Sequence, residues 1–278
     1  MSSLGYFDAV VLGVVEGLTE FLPVSSTGHL TIAEKALGLD VDDPAVTAYT
    51  AVIQMGAILA VVVYFARDIL RIATAWVRGL FDAELRGTLD HRMGWYVILG
   101  SIPIGLAGLL LKDLITGDLR SLWVVAVALI AWSSVLWLAE RVATQERSEK
   151  ELTLRDAIVV GCVQVVSLIP GVSRSGATIS AGLFLGLDRL AATRLSFFLS
   201  IPALLAAGVY ELPDALDGSL PVGPMIVGAV VAFVVAYASV AWLLKFVAHH
   251  TIAGFIPYRI ALGVIILVLL GAGVISAT

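Results

Sequence analysis

EGLTEFLPVSSTGH, residues 16–29, sets two glutamates, a proline, four hydroxyls and a histidine inside an apolar region running from about residue 8 to residue 37. A second cluster, PGVSRSGATIS at residues 170–180, interrupts the apolar region 156–187 in the same way. A charged side chain at the centre of a bilayer costs about 2.5–3.5 kcal/mol on insertion scales, so ionisable groups there usually face a wet cavity and act in it. Glu16, Glu20, His29 and Arg174 are four such groups.

The surrounding chain makes the membrane reading firm. Its 278 residues are 59% apolar and 14% charged, with a mean hydropathy of +0.99; a soluble domain carries about 25% charge. Long apolar runs predict an all-α polytopic membrane protein and exclude a transmembrane barrel, whose strands read as short alternating segments. Six spans are predicted, near 46–66, 94–112, 120–140, 195–212, 222–244 and 256–276. Each has roughly the length that crosses a hydrocarbon core of about 30 Å. The net charge of −5 says little, because charge in such chains is read loop by loop. The single cysteine, Cys162, excludes an intrachain disulfide and reads as a small packing residue. No cleavable signal peptide is evident, since the N-terminus lacks a basic segment and turns polar at Glu16.

Loop charge orients the spans. Arg67, Arg71, Arg78, Arg86 and Arg92 fill the 67–92 loop, and Arg141, Arg147, Lys150 and Arg155 the 140–155 loop. Both are predicted cytoplasmic by the positive-inside rule. The 113–119 loop has no base, and the 211–221 loop carries Glu211, Asp214 and Asp217 without one, so both fit the outside. Region 156–187 leaves from a basic loop and returns to Asp188, Arg189 and Arg194, which makes it a re-entrant hairpin turning at Pro170-Gly171. Region 8–37 has no base before it, and Glu34, Asp40, Asp42 and Asp43 outnumber Lys35 after it. It is predicted to enter from outside and turn near Pro23. Trp95, Tyr96 and Trp123 suit interfacial belts, and His249 and His250 fall in a cytoplasmic loop.

Two halves emerge within one integral membrane domain, 1–278. Residues 1–140 hold a hairpin and three spans, and residues 149–278 repeat that order in opposite orientation, an inverted-topology repeat. At an offset of 148, Gly13 meets Gly161, Glu16 meets Gln164 and Ile53 meets Ile201; with a one-residue gap, Pro23 pairs with Pro170 and Ser26 with Ser173.

The clusters carry complementary chemistry. Glu16 and Glu20 are four apart, on one helical face. Two carboxylates so close repel unless a cation or a shared proton lies between them, and hard cations such as Mg²⁺ or Ca²⁺ take oxygen ligands from carboxylate and phosphate together. Ser25, Ser26 and Thr27 precede a fresh helix, an N-cap pattern whose free N–H groups also suit an anion. His29 lies one turn from Ser26, and a hydroxyl beside histidine is the pattern of an activated nucleophile. In the second cluster Ser173, Ser175 and Thr178 offer hydroxyls, Gly171 allows close backbone approach, and Arg174 forks onto phosphate. Gln54, near the middle of a span, either lines the cavity or bonds a neighbouring helix. Acid, hydroxyl and guanidinium together are the parts that phosphoryl transfer needs.

EGLTEFLPVSSTGH and PGVSRSGATIS resemble the two signature motifs of the bacterial undecaprenyl pyrophosphate phosphatase family, the BacA/UppP bacitracin-resistance type. The similarity extends through AVIQMGAILAVVVYF, LSFFLSIPALLAAGVYE and PYRIALG. The resemblance implies a multi-pass enzyme of the bacterial cytoplasmic (inner) membrane, with its active site open to the outer face. Such an enzyme removes the terminal phosphate of a C55 isoprenyl pyrophosphate, recycling the lipid carrier for peptidoglycan synthesis, and depends on a divalent cation. It implies six spans and two re-entrant hairpins, and it points at Glu16, Glu20, Ser26, His29, Ser173, Arg174, Ser175 and Thr178. The expected partners are the isoprenyl pyrophosphate and membrane lipids, with no nucleic acid; a homo-oligomer is compatible with the reading.

The expected mechanism has Ser26 attack phosphorus while His29 or Glu20 takes its proton. Glu16 and Glu20 hold Mg²⁺ or Ca²⁺, and Arg174 with its neighbouring hydroxyls, Ser25, Thr27 and Gln54 engages the phosphates. The rival assigns the nucleophile to His29. A different class, a transporter or lipid flippase using the same inverted-repeat site, stays open at this stage.

Overall fold

The computed structural model describes residues 4–41, 43–215 and 221–277; Asp42 and Asp217 lie outside them. Twelve α-helices run along the described chain: α1 (Tyr6–Thr19), α2 (Ser26–Ala36), α3 (Pro44–Tyr64), α4 (Ala66–Phe81), α5 (Leu89–Leu110), α6 (Lys112–Thr116), α7 (Leu122–Val142), α8 (Leu154–Gln164), α9 (Arg174–Phe184), α10 (Arg189–Ala215), α11 (Val222–Val247) and α12 (Ile256–Gly271). Six of them, α3, α5, α7, α10, α11 and α12, are long and apolar enough to cross a membrane, and they match the six predicted spans. The starts are set locally. Asp43 caps α3 through the Ala45 amide with Pro44 at the first position, Thr88 caps α5 and Ser121 caps α7, each filling a donor that the first turn leaves free.

The remaining helices differ in kind. The 67–92 segment, expected as a loop, is largely helical: α4 packs on α5. Its apolar Leu70, Val77 and Phe81 are exposed, while Ile72 and Gly79 face the protein. A helix with separate packed, apolar and basic faces lies along a surface rather than across a bilayer, and the arginine-rich composition concealed its apolar stripe. Tyr96 is buried, with its hydroxyl on the Leu152 carbonyl at 3.2 Å, whereas Trp95 and Trp123 are exposed as expected. Cys162, read as a packing residue, is exposed on α8.

Helices α1/α2 and α8/α9 form two broken pairs in register along the chain. α1 begins at Tyr6 and α8 at Leu154, while α2 covers 26–36 and α9 covers 174–184, a constant 148 positions. The residues before α2 and α9, Ser25 and Ser173, both sit at φ 75°. Ser25, not Ser26, therefore corresponds to Ser173, and Ser26 corresponds to Arg174. The gap placed at the prolines closes again before the helices begin.

Ion pairs collect the basic segments at one end of the bundle. Arg147 pairs with Asp156, Arg189 with Glu140 at 2.8 Å, and Arg194 with both Glu149 at 2.7 Å and Asp68 at 3.2 Å. The Ile252 amide, in the turn after α11, donates to Glu140. At the other end Leu4, Leu39, Val46 and Met225 share a buried cluster, and the Leu122 amide bonds the Ala277 carbonyl at 2.8 Å. Lipid tails are as apolar as leucine, so packing and polar cross-links hold such a bundle more than hydrophobic burial does. Phe21, at the first break, wedges edge-on against Phe197 with centroids 5.5 Å apart and fixes that break against α10.

Candidate active site

The two breaks meet and are cross-linked. The Gly171 amide donates to Ser25 Oγ at 3.1 Å, and Ser173 Oγ reaches the Leu22 carbonyl at 3.4 Å. Serine at φ 75° is strained by about 1–3 kcal/mol, and these bonds hold both serines in place. Gly171 has φ +99°, and a Cβ there would lie 2.4 Å from the Val125 carbonyl oxygen; only glycine lets α7 approach the second break so closely.

Glu20 sits at the junction. Ser26 Oγ donates to Glu20 Oε2 at 2.5 Å, and Arg174 Nη2 lies 3.2 Å from Glu20 Oε1. Since Ser26 and Arg174 each open a helix, their side chains project from helix N-termini where backbone N–H groups are free. The candidate nucleophile, its carboxylate acceptor and the candidate phosphate clamp are therefore in one continuous chain of contacts.

His29 is directed elsewhere. Its Nδ1 donates to the Ser25 carbonyl at 2.7 Å, its Nε2 meets the Tyr258 hydroxyl at 2.5 Å, and the two rings stack with centroids 5.6 Å apart. Both nitrogens are occupied by Ser25 and Tyr258, whereas the Ser26 hydroxyl faces Glu20. Thr178 is also not where the motif reading put it. It is fully buried, and its hydroxyl lies 2.8 Å from the Arg174 carbonyl and 2.6 Å from Ser196 Oγ. It ties the start of α9 to α10 rather than facing a ligand. Ser173 accepts from the Gly176 amide at 3.2 Å as the α9 cap and contacts Ser175 Oγ at 3.1 Å.

A cavity of about 160 Å³ opens beside this junction, lined by Glu16, Ser26, Thr27, Thr31, Glu34, Thr47, Thr50, Gln54 and Arg120 among others. Gln54 thus lines the cavity, one of its two expected placements. Glu16 is 1% exposed, and both of its carboxylate oxygens lack a hydrogen-bond partner. Among the described residues no group of three or more His, Cys, Asp or Glu side chains is arranged to hold a metal. A cation held here by Glu16 would have to take most of its oxygens from water or phosphate, a coordination that Mg²⁺ tolerates.

Arg259 escaped the sequence reading. It is fully buried and donates to the Pro23 carbonyl at 2.8 Å, to Gly171 at 2.9 Å and to Val172 at 3.1 Å, so one guanidinium pins both breaks. The signal was present: a charge three residues into an apolar span carries the same cost that singled out Arg174. Tyr258, beside it, was equally unassigned.

Comparison with known proteins agrees with this geometry. The family model "Bacitracin resistance protein BacA" matches residues 9–265. A protein of Streptomyces coelicolor named undecaprenyl-diphosphatase 1 is 58% identical over 278 residues, covering 100% of both chains. One of Acidothermus cellulolyticus named undecaprenyl-diphosphatase is 57% identical over 97% of this chain and 98% of its own. One of Cutibacterium acnes with the same name is 52% identical over 99% of this chain and 100% of its own. A match over nearly the whole length, including both breaks and the residues that join them, makes this chain a member of the bacitracin resistance protein BacA family.

Proposed function

We propose that this protein hydrolyses undecaprenyl pyrophosphate to the monophosphate and phosphate, recycling the lipid carrier of peptidoglycan synthesis. The observation that carries the reading is Glu20 bridging Ser26 Oγ and Arg174 across the two breaks. Ser26 Oγ attacks the terminal phosphorus as Glu20 takes its proton; the Oγ–P bond forms and the P–O bond to the lipid monophosphate breaks. Arg174, with the free N–H groups opening α2 and α9, receives the charge on the equatorial oxygens. Water then attacks phosphoserine, Glu20 returns its proton to the leaving Oγ, and phosphate departs with both protons of the water. Glu16, with Glu20 beside it, would hold the divalent cation, which neutralises diphosphate charge when bound. Ser175 and Thr27 border the headgroup, and Thr178 acts by fixing Arg174.

We further infer that both broken pairs are re-entrant, that the halves form an inverted repeat, and that the cavity faces outside the bacterial inner membrane. In support, α1 packs on α11 while α8 packs on α5, the exchange an inverted repeat requires, and the basic ends gather opposite the cavity. The transporter alternative is not favoured, because the similar proteins carry the name of a diphosphatase. At the positions 148 residues on, Thr31, Thr47 and Thr50 become Ile179, Leu195 and Phe198, all buried, and Glu16 becomes the buried Gln164, so the second half lacks this carboxylate and these hydroxyls. The test is phosphate release from undecaprenyl pyrophosphate in detergent, with and without chelator. Absence of release by the wild-type chain in the presence of Mg²⁺ or Ca²⁺ would sink the proposal.

A further inference from the structure

The geometry points to a resting cation site in the cavity, held by Glu16 and Glu34 together, occupied before any substrate arrives. The inference deepens the cation part of the proposed function and rests on it.

Glu20 is poorly placed to be the second carboxylate of the resting protein. Its Oε1 faces Arg174 at 3.2 Å and its Oε2 accepts from Ser26 at 2.5 Å. Glu16, in contrast, lines the cavity with both oxygens unpartnered. A buried carboxylate without a partner is costly unless it is neutralised or binds a cation. Glu34, 4% exposed, lines the same cavity from the last turn of α2.

The neutral groups between them also favour a cation. Thr31 Oγ1 donates to the Thr27 carbonyl at 2.9 Å, and Thr50 Oγ1 to the Thr47 carbonyl at 2.7 Å. A hydroxyl has one hydrogen, so these oxygens have only lone pairs left for the cavity. Gln54 adds a carbonyl oxygen. The result is a polar chamber rich in acceptors, suited to a hard cation that keeps some of its waters. At about 30 Å³ of liquid volume per water, about 160 Å³ admits an ion with part of its hydration shell. Arg120 is the only cationic side chain among the lining residues, and no ion pair joins it to Glu34 among the described residues. Its charge opposes an ion at the site, which gives a prediction of opposite sign.

The experiment is Mn²⁺ binding to the full-length, substrate-free protein in detergent, followed by electron paramagnetic resonance. Glu34→Gln is expected to weaken binding by about tenfold, because affinity at such sites follows the number of charged ligands. Arg120→Gln is expected to tighten it by about threefold through removal of the opposing charge, an outcome no misfolded variant produces. Wild-type affinity in Glu34→Gln would overturn the site and leave the Glu16–Glu20 cation standing. No Mn²⁺ bound by the substrate-free wild type would also overturn it. The cation part of the proposed function fails separately, only if a chelator leaves phosphate release unchanged.

Discussion

Replacing Arg259 by methionine tests whether one buried guanidinium sets the alignment of the two breaks. Methionine keeps much of the volume and the flexible stem while removing donors to the carbonyls of Pro23, Gly171 and Val172. Each carbonyl left buried without a donor costs about 1–3 kcal/mol, so three cost about 3–9 kcal/mol gross. Arg259 has no carboxylate among its hydrogen-bond partners, so losing it also removes a desolvation penalty of several kcal/mol. The net loss of stability should then be about 2–4 kcal/mol. The larger effect is on chemistry. Relaxation of either break by about 1 Å would misplace Ser26 relative to Arg174 and lower turnover by about 100-fold. Arg259→Lys should recover only part of this, because a single ammonium lacks the planar fork that spans both breaks. The assay is phosphate release from undecaprenyl pyrophosphate in detergent beside thermal unfolding of the same samples. An Arg259→Met protein with wild-type kcat and wild-type unfolding would refute the pinning role.

Three further changes separate the roles of neighbouring residues. Glu20→Gln should keep the fold and lower kcat by about 10²–10⁴, the usual worth of a positioned base; near-normal turnover would remove Glu20 from that role. Ser26→Ala should abolish a trapped phosphoryl-enzyme, whereas an acid-labile adduct surviving in that variant, with Tyr258→Phe altering its yield, would return the nucleophile to His29. Thr178→Val should destabilise by about 1–2 kcal/mol through loss of the bond to Ser196 while KM changes little, as measured by melting and steady-state kinetics; a large rise in KM with unchanged stability would place Thr178 on the substrate instead.

Most of the architecture was readable from residue order alone. Each of the six spans is apolar over enough residues that no other environment accepts it, and each break carries a proline. The basic segments 67–92, 140–155 and 188–194 were assigned to one side by charge, and the ion pairs of Arg194 with Asp68 and Glu149 join them. α4 was missed because its three arginines, Arg67, Arg71 and Arg78, outweigh its apolar stripe in a linear reading; its faces separate only when its residues are wound at 3.6 per turn. The backbone conformation that Ser25 and Ser173 share, 148 positions apart, is not written in residue type, and the one-residue gap at the prolines hides it.

The residue order by itself determined which groups are too costly to lie in lipid, and so named Glu16, Glu20, His29 and Arg174 as a working set. Their pairing was decided only by folding. Ser26 and His29 are three apart in sequence, yet the hydroxyl turns to Glu20 and the imidazole to Tyr258, 229 positions away. Proximity along a chain limits what a side chain can reach, whereas its partner is chosen by whatever the other helices bring within hydrogen-bond distance. Arg259 joins carbonyls from two breaks 148 residues apart, and Glu34 reaches the same chamber as Glu16 from another helix. Neither relation exists until the helices pack.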